Sequence, residues 1–235
     1  SRRSAIASIT RSQSASSAWD RIIPGLRITI ETTIWAFVIA LAIGLVAGLG
    51  RISRNVVLRN LATFYIEFVR GVPILVLIFT VAYTVVPTAS DVLGFDNSSV
   101  TFQWRAIVAL ALIYGAYLGE VFRAGIESIP RGQSEAGRSL GMSQSQTMRK
   151  VILPPAIRNI TPALGNDAIA MLKDTSLLSV LAVREITQQA RIYAGATFDF
   201  KATYPILVAL YLSMTVTLSL LLGWYRGRLG LEDHA

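Results

Sequence analysis

The chain has 235 residues, 53% hydrophobic and 15% charged, with a formal net charge of +8 and a positive mean hydropathy, which points to a membrane protein with several spans rather than a soluble domain. It contains no cysteine and a single histidine, His234, so disulfides and thiolate metal sites are excluded, and imidazole catalysis and ordinary zinc sites have no basis. The basic residues lie at the ends of apolar runs rather than along one soluble face, so no nucleic-acid partner is expected.

Residues 1–21 are rich in Ser, Ala and Arg, lack an apolar core of signal-peptide length, and read as a polar linker or tail. The membrane domain is expected over 22–235, beginning with a first span at about 24–50. Its Gly44 and Gly48 form a small-xxx-small pair that lets another helix approach. Arg51, Arg54 and Arg59 follow without an acidic residue, which assigns this end to the cytoplasm. The second span, about 56–86, is too long for one regular helix, and Arg70, Gly71 and Pro73 predict a break in its middle. Glu67 and Arg70 have the spacing of an i,i+3 pair. Residues 87–103 contain Asp91 and Asp96 but no Lys or Arg, as an external loop would. The third span, about 104–129, carries Gly115 and Gly119, again suited to close helix packing.

The fourth span, about 155–178, holds Arg158, Asn159, Pro162, Asn166, Asp167, Lys173 and Asp174, too many polar groups for a helix facing lipid. It is expected to line a pathway. Residues 183–201 read as an external amphipathic segment followed by a loop, and the fifth span, about 204–224, ends beside Arg226 and Arg228. Five spans give an external N-terminus and a cytoplasmic C-terminus. Arg2, Arg3, Arg11 and Arg21 would then lie outside, against the usual charge rule, which long external regions escape.

Between the third and fourth spans lies a basic, polar stretch, RGQSEAGRSLGMSQSQTMRKVILP, residues 131–154. Ser134 is expected to cap a short helix starting at Glu135, and Gly141 to end it in the left-handed conformation. Ser143 and Gln146 have capping-box spacing, and Pro154 with Pro155 is expected to break the second helix. Glu135, Ala136, Gly141, Val151, Leu153 and Pro154 resemble the cytoplasmic EAA loop of permease subunits of bacterial ABC importers, in the family of polar and basic amino acid permeases (histidine, arginine and glutamine). Gly137 stands where that pattern usually has a second alanine, and Val151 where it has isoleucine.

The resemblance spans about 24–230 and implies the type I importer fold: an all-α membrane protein with five transmembrane helices and a cytoplasmic coupling helix. It assigns ATPase coupling to Glu135, Ala136, Gly137, Ser139, Leu140 and Gly141. RGVPILVL resembles the RGTPLLVQ stretch of polar amino acid permeases, with Val72 and Leu77 in place of threonine and glutamine. LGNDAIAMLKDTSL resembles the part of the fourth span whose acidic positions face substrate in basic amino acid permeases.

The residues themselves point the same way. Asp167 and Asp174 are seven positions apart, about 20° from the same face and roughly 10 Å apart along a straight helix, and two carboxylates so arranged could hold two cationic groups of an amino acid. An alternative is that Asp174 pairs with Lys173 or Arg184 and that Asp167 bonds a neighbouring helix. Arg70, or backbone N–H groups near Gly71, could receive the substrate carboxylate, and Asn166 completes the candidate set.

No Walker A sequence occurs. The chain is therefore expected to be non-catalytic, without a cofactor of its own, with ATP and Mg held by a dimer of partner ATPases. The remaining expected partners are a second permease subunit, identical or homologous, an extracytoplasmic substrate-binding protein or a domain fused ahead of residue 1, the amino acid itself and membrane lipid. The expected location is the bacterial inner membrane. The competing reading is an ion-coupled secondary carrier with Asp167 as the ion or proton site.

Overall fold

A computed structural model describes residues 16–94 and 96–228, and among these the chain is helical with no strand. Helix α1 runs over Pro24–Arg51, α2 over Val56–Gly71, α3 over Ile74–Thr80 and α4 over Val86–Leu93, with a π-helical turn at Val81–Val85 between the last two. Helix α5 (Phe102–Glu127) is followed by the short α6 (Arg131–Ser139) and α7 (Gln144–Thr147), a second π-helical turn (Met148–Ile152) and α8 (Leu153–Asp174). A 3-10 segment (Thr175–Leu181), α9 (Ile186–Thr197) and α10 (Phe200–Arg228) complete the order.

Local chemistry sets the boundaries. The Asn55 side chain accepts the Val57 and Leu58 N–H groups at the start of α2, and Gly94 ends α4 at φ +75°. The second span breaks where expected: Val72 is extended, at φ −108° and ψ 139°, because a residue before proline is driven out of the helical region. Beyond the break the helix continues past residue 86 as far as Leu93, with Pro87 in the first turn of α4, where its missing N–H matters least. The external connection expected over 87–103 thus shortens to 94–101. Arg105 fastens it to α5, donating to the Asn97 and Val100 carbonyls at 2.9 and 3.1 Å.

Two further expectations need correction. The polar linker expected over 1–21 ends earlier, because residues 16–22 are helical and Ala18 and Ile22 are fully buried; residues 1–15 lie outside the described residues. Pro154 and Pro155 do not break the helix begun at Ser143. The π-helical turn before them widens the hydrogen-bond register, with Leu153 N–H reaching the Met148 carbonyl, so both prolines enter in the opening turn of α8.

Four described helical stretches are long and apolar enough to cross a membrane: Ser16–Arg51, Ile74–Leu93, Phe102–Glu127 and Phe200–Arg228. At 22 residues, α8 spans about 33 Å and is long enough, but it is too polar to qualify by composition.

The chain divides into two compact units. The first holds residues up to Ala36 with Ile78–Ala109 and Ile169–Ser219. Its core joins Ala18 and Ile22 to Ile186 and Ala190 of α9 and to Ile206, Leu207 and Leu210 of α10. A fully buried Ile or Leu contributes roughly 1.5–3 kcal/mol. Against this core sits Glu185, fully buried, capping α9: its carboxylate accepts the Thr187 and Gln188 N–H groups, both at 2.7 Å, and the Tyr211 hydroxyl at 3.1 Å. Burial pushes the Glu185 carboxyl up to about 7, although its hydrogen bonds favour the charged form. Gly25 lets α1 touch this cap, since a Cβ there would lie 2.7 Å from the Glu185 carbonyl carbon.

The second unit holds Phe37–Leu77, Leu110–Ala168 and residues from Leu220 on. In it the two glycine pairs noted in the sequence meet. A Cβ on Gly44 would lie 2.7 Å from Leu118 Cβ and 3.1 Å from the Gly115 carbonyl, and one on Gly48 would lie 2.7 Å from the Gly119 carbonyl. The backbones of α1 and α5 are thus in direct contact.

Candidate functional site

The second unit contains a small cavity of about 240 Å³ lined by Arg70, Tyr117, Glu120, Val121, Ala124 and Asp167. Arg70 comes from the last turn of α2, just before the break; Tyr117, Glu120, Val121 and Ala124 come from α5, and Asp167 from α8. Two of the residues singled out in the sequence therefore share a site. The others do not line it: Gly71 closes α2, Asn166 is exposed, and Asp174 ends α8 in the first unit. Nor does Gly71 begin the second half-helix, whose first turn bonds back to the Pro73 carbonyl through Val76 and Leu77 N–H.

The two carboxylates in the cavity differ. Glu120 is held by two guanidinium groups: Arg51 donates to it at 2.8 Å, and Arg123 donates through Nε at 3.0 Å and through Nη2. Arg51 also pairs with Glu67 at 2.7 Å, and Arg123 with Glu127, so five side chains form one ionic chain. Glu67 thus pairs with Arg51 and not, as its spacing suggested, with Arg70. Asp167 forms no hydrogen bond or ion pair among the described residues, and Arg70 forms no ion pair there. The cavity thus presents one cation and one anion that form no ion pair, beside a carboxylate paired with Arg51 and Arg123 whose charge also acts on Arg70.

Glu120 and Tyr117 were not singled out from the sequence, although the signal was present. An ionisable residue inside an apolar span faces protein or a pathway by default, and Glu120 meets that criterion as fully as Asp167 does.

The loop between α5 and α8 has the two short helices expected, with one shift. α6 starts at Arg131 after Pro130, four residues before Glu135, so Ser134 lies inside the helix. Gly141, at φ +79°, ends it in a Schellman arrangement, with Met142 N–H bonding the Gly137 carbonyl and Gly141 N–H the Arg138 carbonyl. The capping box is present: Ser143 N–H donates to Gln146 Oε1 at 2.9 Å, and Gln146 N–H to Ser143 Oγ at 3.3 Å. Gly137 is buried against Thr147, whose Cγ2 would be 3.1 Å from an added Cβ, while Glu135, Ala136, Ser139, Leu140 and Gly141 are exposed. Leu140 is 80% exposed on an otherwise polar surface.

This all-α chain with several apolar spans, a broken second helix and a pre-structured loop before a polar helix has the architecture of a transport permease. It belongs to the family of binding-protein-dependent transport system inner membrane components, whose model matches residues 19–230. It is 38% identical over 205 residues to the "Probable amino-acid permease protein YxeN" of Bacillus subtilis, covering 87% of this chain and 89% of that protein. To the glutamine transport system permease protein GlnP of Escherichia coli (strain K12) it is 36% identical over 211 residues, covering 87% and 94%. Among solved structures it is similar to a chain of a crystal structure of an amino acid ABC transporter with histidines, with a TM-score of 0.79 at 37% identity over 89% of this chain and 94% of that one. An inward-facing MetNI methionine ABC transporter, at 20% identity and a TM-score of 0.68 over 91% and 95%, shares the fold. The chain is a multi-pass inner-membrane permease with the type I ABC importer fold.

Proposed function

We propose that this chain is the translocating subunit of an ATP-driven amino acid importer and that it favours cationic amino acids. The observation that carries this is the cavity in which Arg70 and Asp167 meet without ion-pair partners of their own. An amino acid has the complementary charges: its α-carboxylate suits the Arg70 guanidinium, and its α-ammonium or a side-chain cation suits Asp167. Glu120 is held by hydrogen bonds from Arg51 and Arg123, which leaves the Arg70 guanidinium without an ion pair, although the two groups still attract across the cavity. Family membership and the amino-acid permeases among its relatives support ATP-driven uptake over an ion-coupled carrier.

In this proposal the cycle is alternating access. Two permease chains enclose the path, a dimer of ATPases holds ATP and Mg on the cytoplasmic side, and an extracytoplasmic binding protein or domain delivers the solute. α6 and α7 take the push of ATPase closure through Glu135, Ala136, Ser139, Leu140 and Gly141, with Gly137 seating α6 on the turn that leads into α8. Five spans, with α8 as the polar fifth, leave the N-terminus outside and the C-terminus in the cytoplasm. Asp174, seven residues further along α8 than Asp167, is a candidate for an earlier stage of passage, and Asn166 directly precedes Asp167 on the same helix.

The test is ATP hydrolysis by the reconstituted complex across a panel of amino acids. Hydrogen bonds to charged groups contribute roughly 1.5–3 kcal/mol, so Asp167→Asn is expected to raise the arginine or lysine concentration needed for stimulation about tenfold or more. Neutral amino acids should lose less, and Arg70→Gln should weaken all α-amino acids alike. Equal losses for cationic and neutral solutes in Asp167→Asn would remove the selectivity claim, and no stimulation by any amino acid would remove the importer.

A further inference from the structure

A second hollow in the same unit lies away from the polar cavity. It is a groove of about 570 Å³ between α1 and α2, with Ala42, Val46 and Gly50 on one side and Leu58, Leu61 and Tyr65 on the other. The one polar group among these side chains, the Tyr65 hydroxyl, donates to the Leu112 carbonyl at 2.5 Å, which leaves the wall apolar. Such a volume lies within the roughly 300–1,000 Å³ of clefts that hold small molecules. From Ala42 to Gly50 the groove follows α1 for about 12 Å, close to the roughly 15 Å depth of one leaflet's hydrocarbon.

One end of the groove adjoins basic residues in the chain. Gly50 and Leu58 flank the turn at residues 52–55, where a Cβ on Gly50 would sit 3.1 Å from Ala62 Cβ. Arg54 lies in that turn, and Arg59 follows Leu58 on α2; both are exposed, and neither has an ion pair among the described residues. The third basic residue here, Arg51, is already committed to Glu67 and Glu120. An apolar trough about one leaflet deep, whose end residues Gly50 and Leu58 adjoin two exposed arginines without ion pairs, suits an anionic phospholipid: an acyl chain with a phosphate at its head. A second copy of the chain fits less well, because a copy of this basic turn brings the same positive residues and no phosphate or carboxylate of its own for Arg54 and Arg59.

We infer that the groove between α1 and α2 is a binding site for one anionic phospholipid, with its acyl chain along Ala42–Gly50 and its phosphate at Arg54 and Arg59. The inference rests on the proposed topology only in that this end of α1 meets the cytoplasmic leaflet. Such a lipid would brace the arginine turn beside Arg51 and so steady the ionic chain that reaches Glu120.

Native mass spectrometry of the permease–ATPase complex, titrated with phosphatidylglycerol and separately with phosphatidylcholine, tests this. One phosphatidylglycerol is expected per permease chain, bound about tenfold or more tightly than phosphatidylcholine. Arg54→Gln with Arg59→Gln should bring the two lipids level, and Val46→Trp, at a lining position 73% exposed, should block both. Equal binding of the two lipids to the unmodified complex, or no change in the charge variant, would overturn the site. Disulfide cross-linking of two permease chains through Leu58→Cys would give the groove to a second copy and overturn it as well. Amino-acid-stimulated ATP hydrolysis, measured on the same samples, separates this from the importer proposal: its absence strikes the importer alone, and its presence with unselective lipid binding strikes the lipid site alone.

Discussion

Glu185 is a carboxylate in a place that disfavours its charge, fully buried beneath α1, α9 and α10, and yet the α9 N-terminus and Tyr211 aim three donors at it. Desolvation wins, and its pKa rises to about 7 from the usual 4.5. Between these values the folded chain holds a proton that the unfolded chain has released. Its contribution to stability is therefore complete below about pH 4.5, is lost as pH rises through about 7, and changes little above. Thermal unfolding between about pH 5 and about pH 8 should show this decline, and Glu185→Gln should flatten it; an unchanged slope would place the titration elsewhere. At the same scale, Asp167 and Arg70 were legible because charge inside an apolar run is rare. Glu120 carries the same signal in the apolar α5, but nothing local shows what it faces. Its pairing with Arg51, 69 positions away, is a tertiary fact that no local spacing encodes.

Helix ends were the most legible elements, because caps are local chemistry. The Ser143–Gln146 box and the left-handed Gly141 each depend on residues within a few positions of one another. The π-helical turn at Met148–Ile152 was not legible: proline normally stops a helix, and only a widened register lets the chain pass through two of them. The start of α6 differs from the Ser134 cap expected, because Pro130 just ahead of the first turn supplies an earlier beginning. Gly141 offers a clean test of the loop, because nothing lies within 4 Å of the Cβ position and any penalty comes from the backbone alone. A β-branched residue there costs roughly 1–2 kcal/mol of conformational strain. Gly141→Val should therefore lower uptake while membrane insertion and ATP hydrolysis persist, and Gly141→Asn, which tolerates the left-handed region, should keep uptake near normal. Uptake unchanged by valine would mean that the turn at Gly141 does not transmit force.

For the whole molecule, composition and charge at the span ends made the class plain, while the arrangement of helices lay in contacts between distant segments. Four stretches pass as spans on apolarity, and α8 departs because Arg158, Asn159, Asn166, Asp167, Lys173 and Asp174 make it polar. The proposed orientation can be read directly, since the chain has no cysteine of its own. A single cysteine at Leu93 should react with a membrane-impermeant maleimide from outside and one at Ser145 should not; the reverse pattern would invert the topology.

The glycine seam between α1 and α5 also limits what can move. At Gly44, Gly48, Gly115 and Gly119 backbone meets backbone, and the Ile43, Ala47, Leu118 and Phe122 side chains fit against the glycines with little room to slide or repack. These two segments are expected to move as one plate in the proposed cycle, with its flexing at the break at Val72–Pro73 and the widened turns at Val81–Val85 and Met148–Ile152. A disulfide makes this measurable: a Cβ on Gly119 would lie 3.2 Å from Ala47 Cβ, near the roughly 3.5–4.5 Å of a natural bridge. Oxidising an Ala47→Cys, Gly119→Cys pair should leave substrate-stimulated ATP hydrolysis intact. Inhibition reversed by a reductant would mean that the plate is itself a hinge.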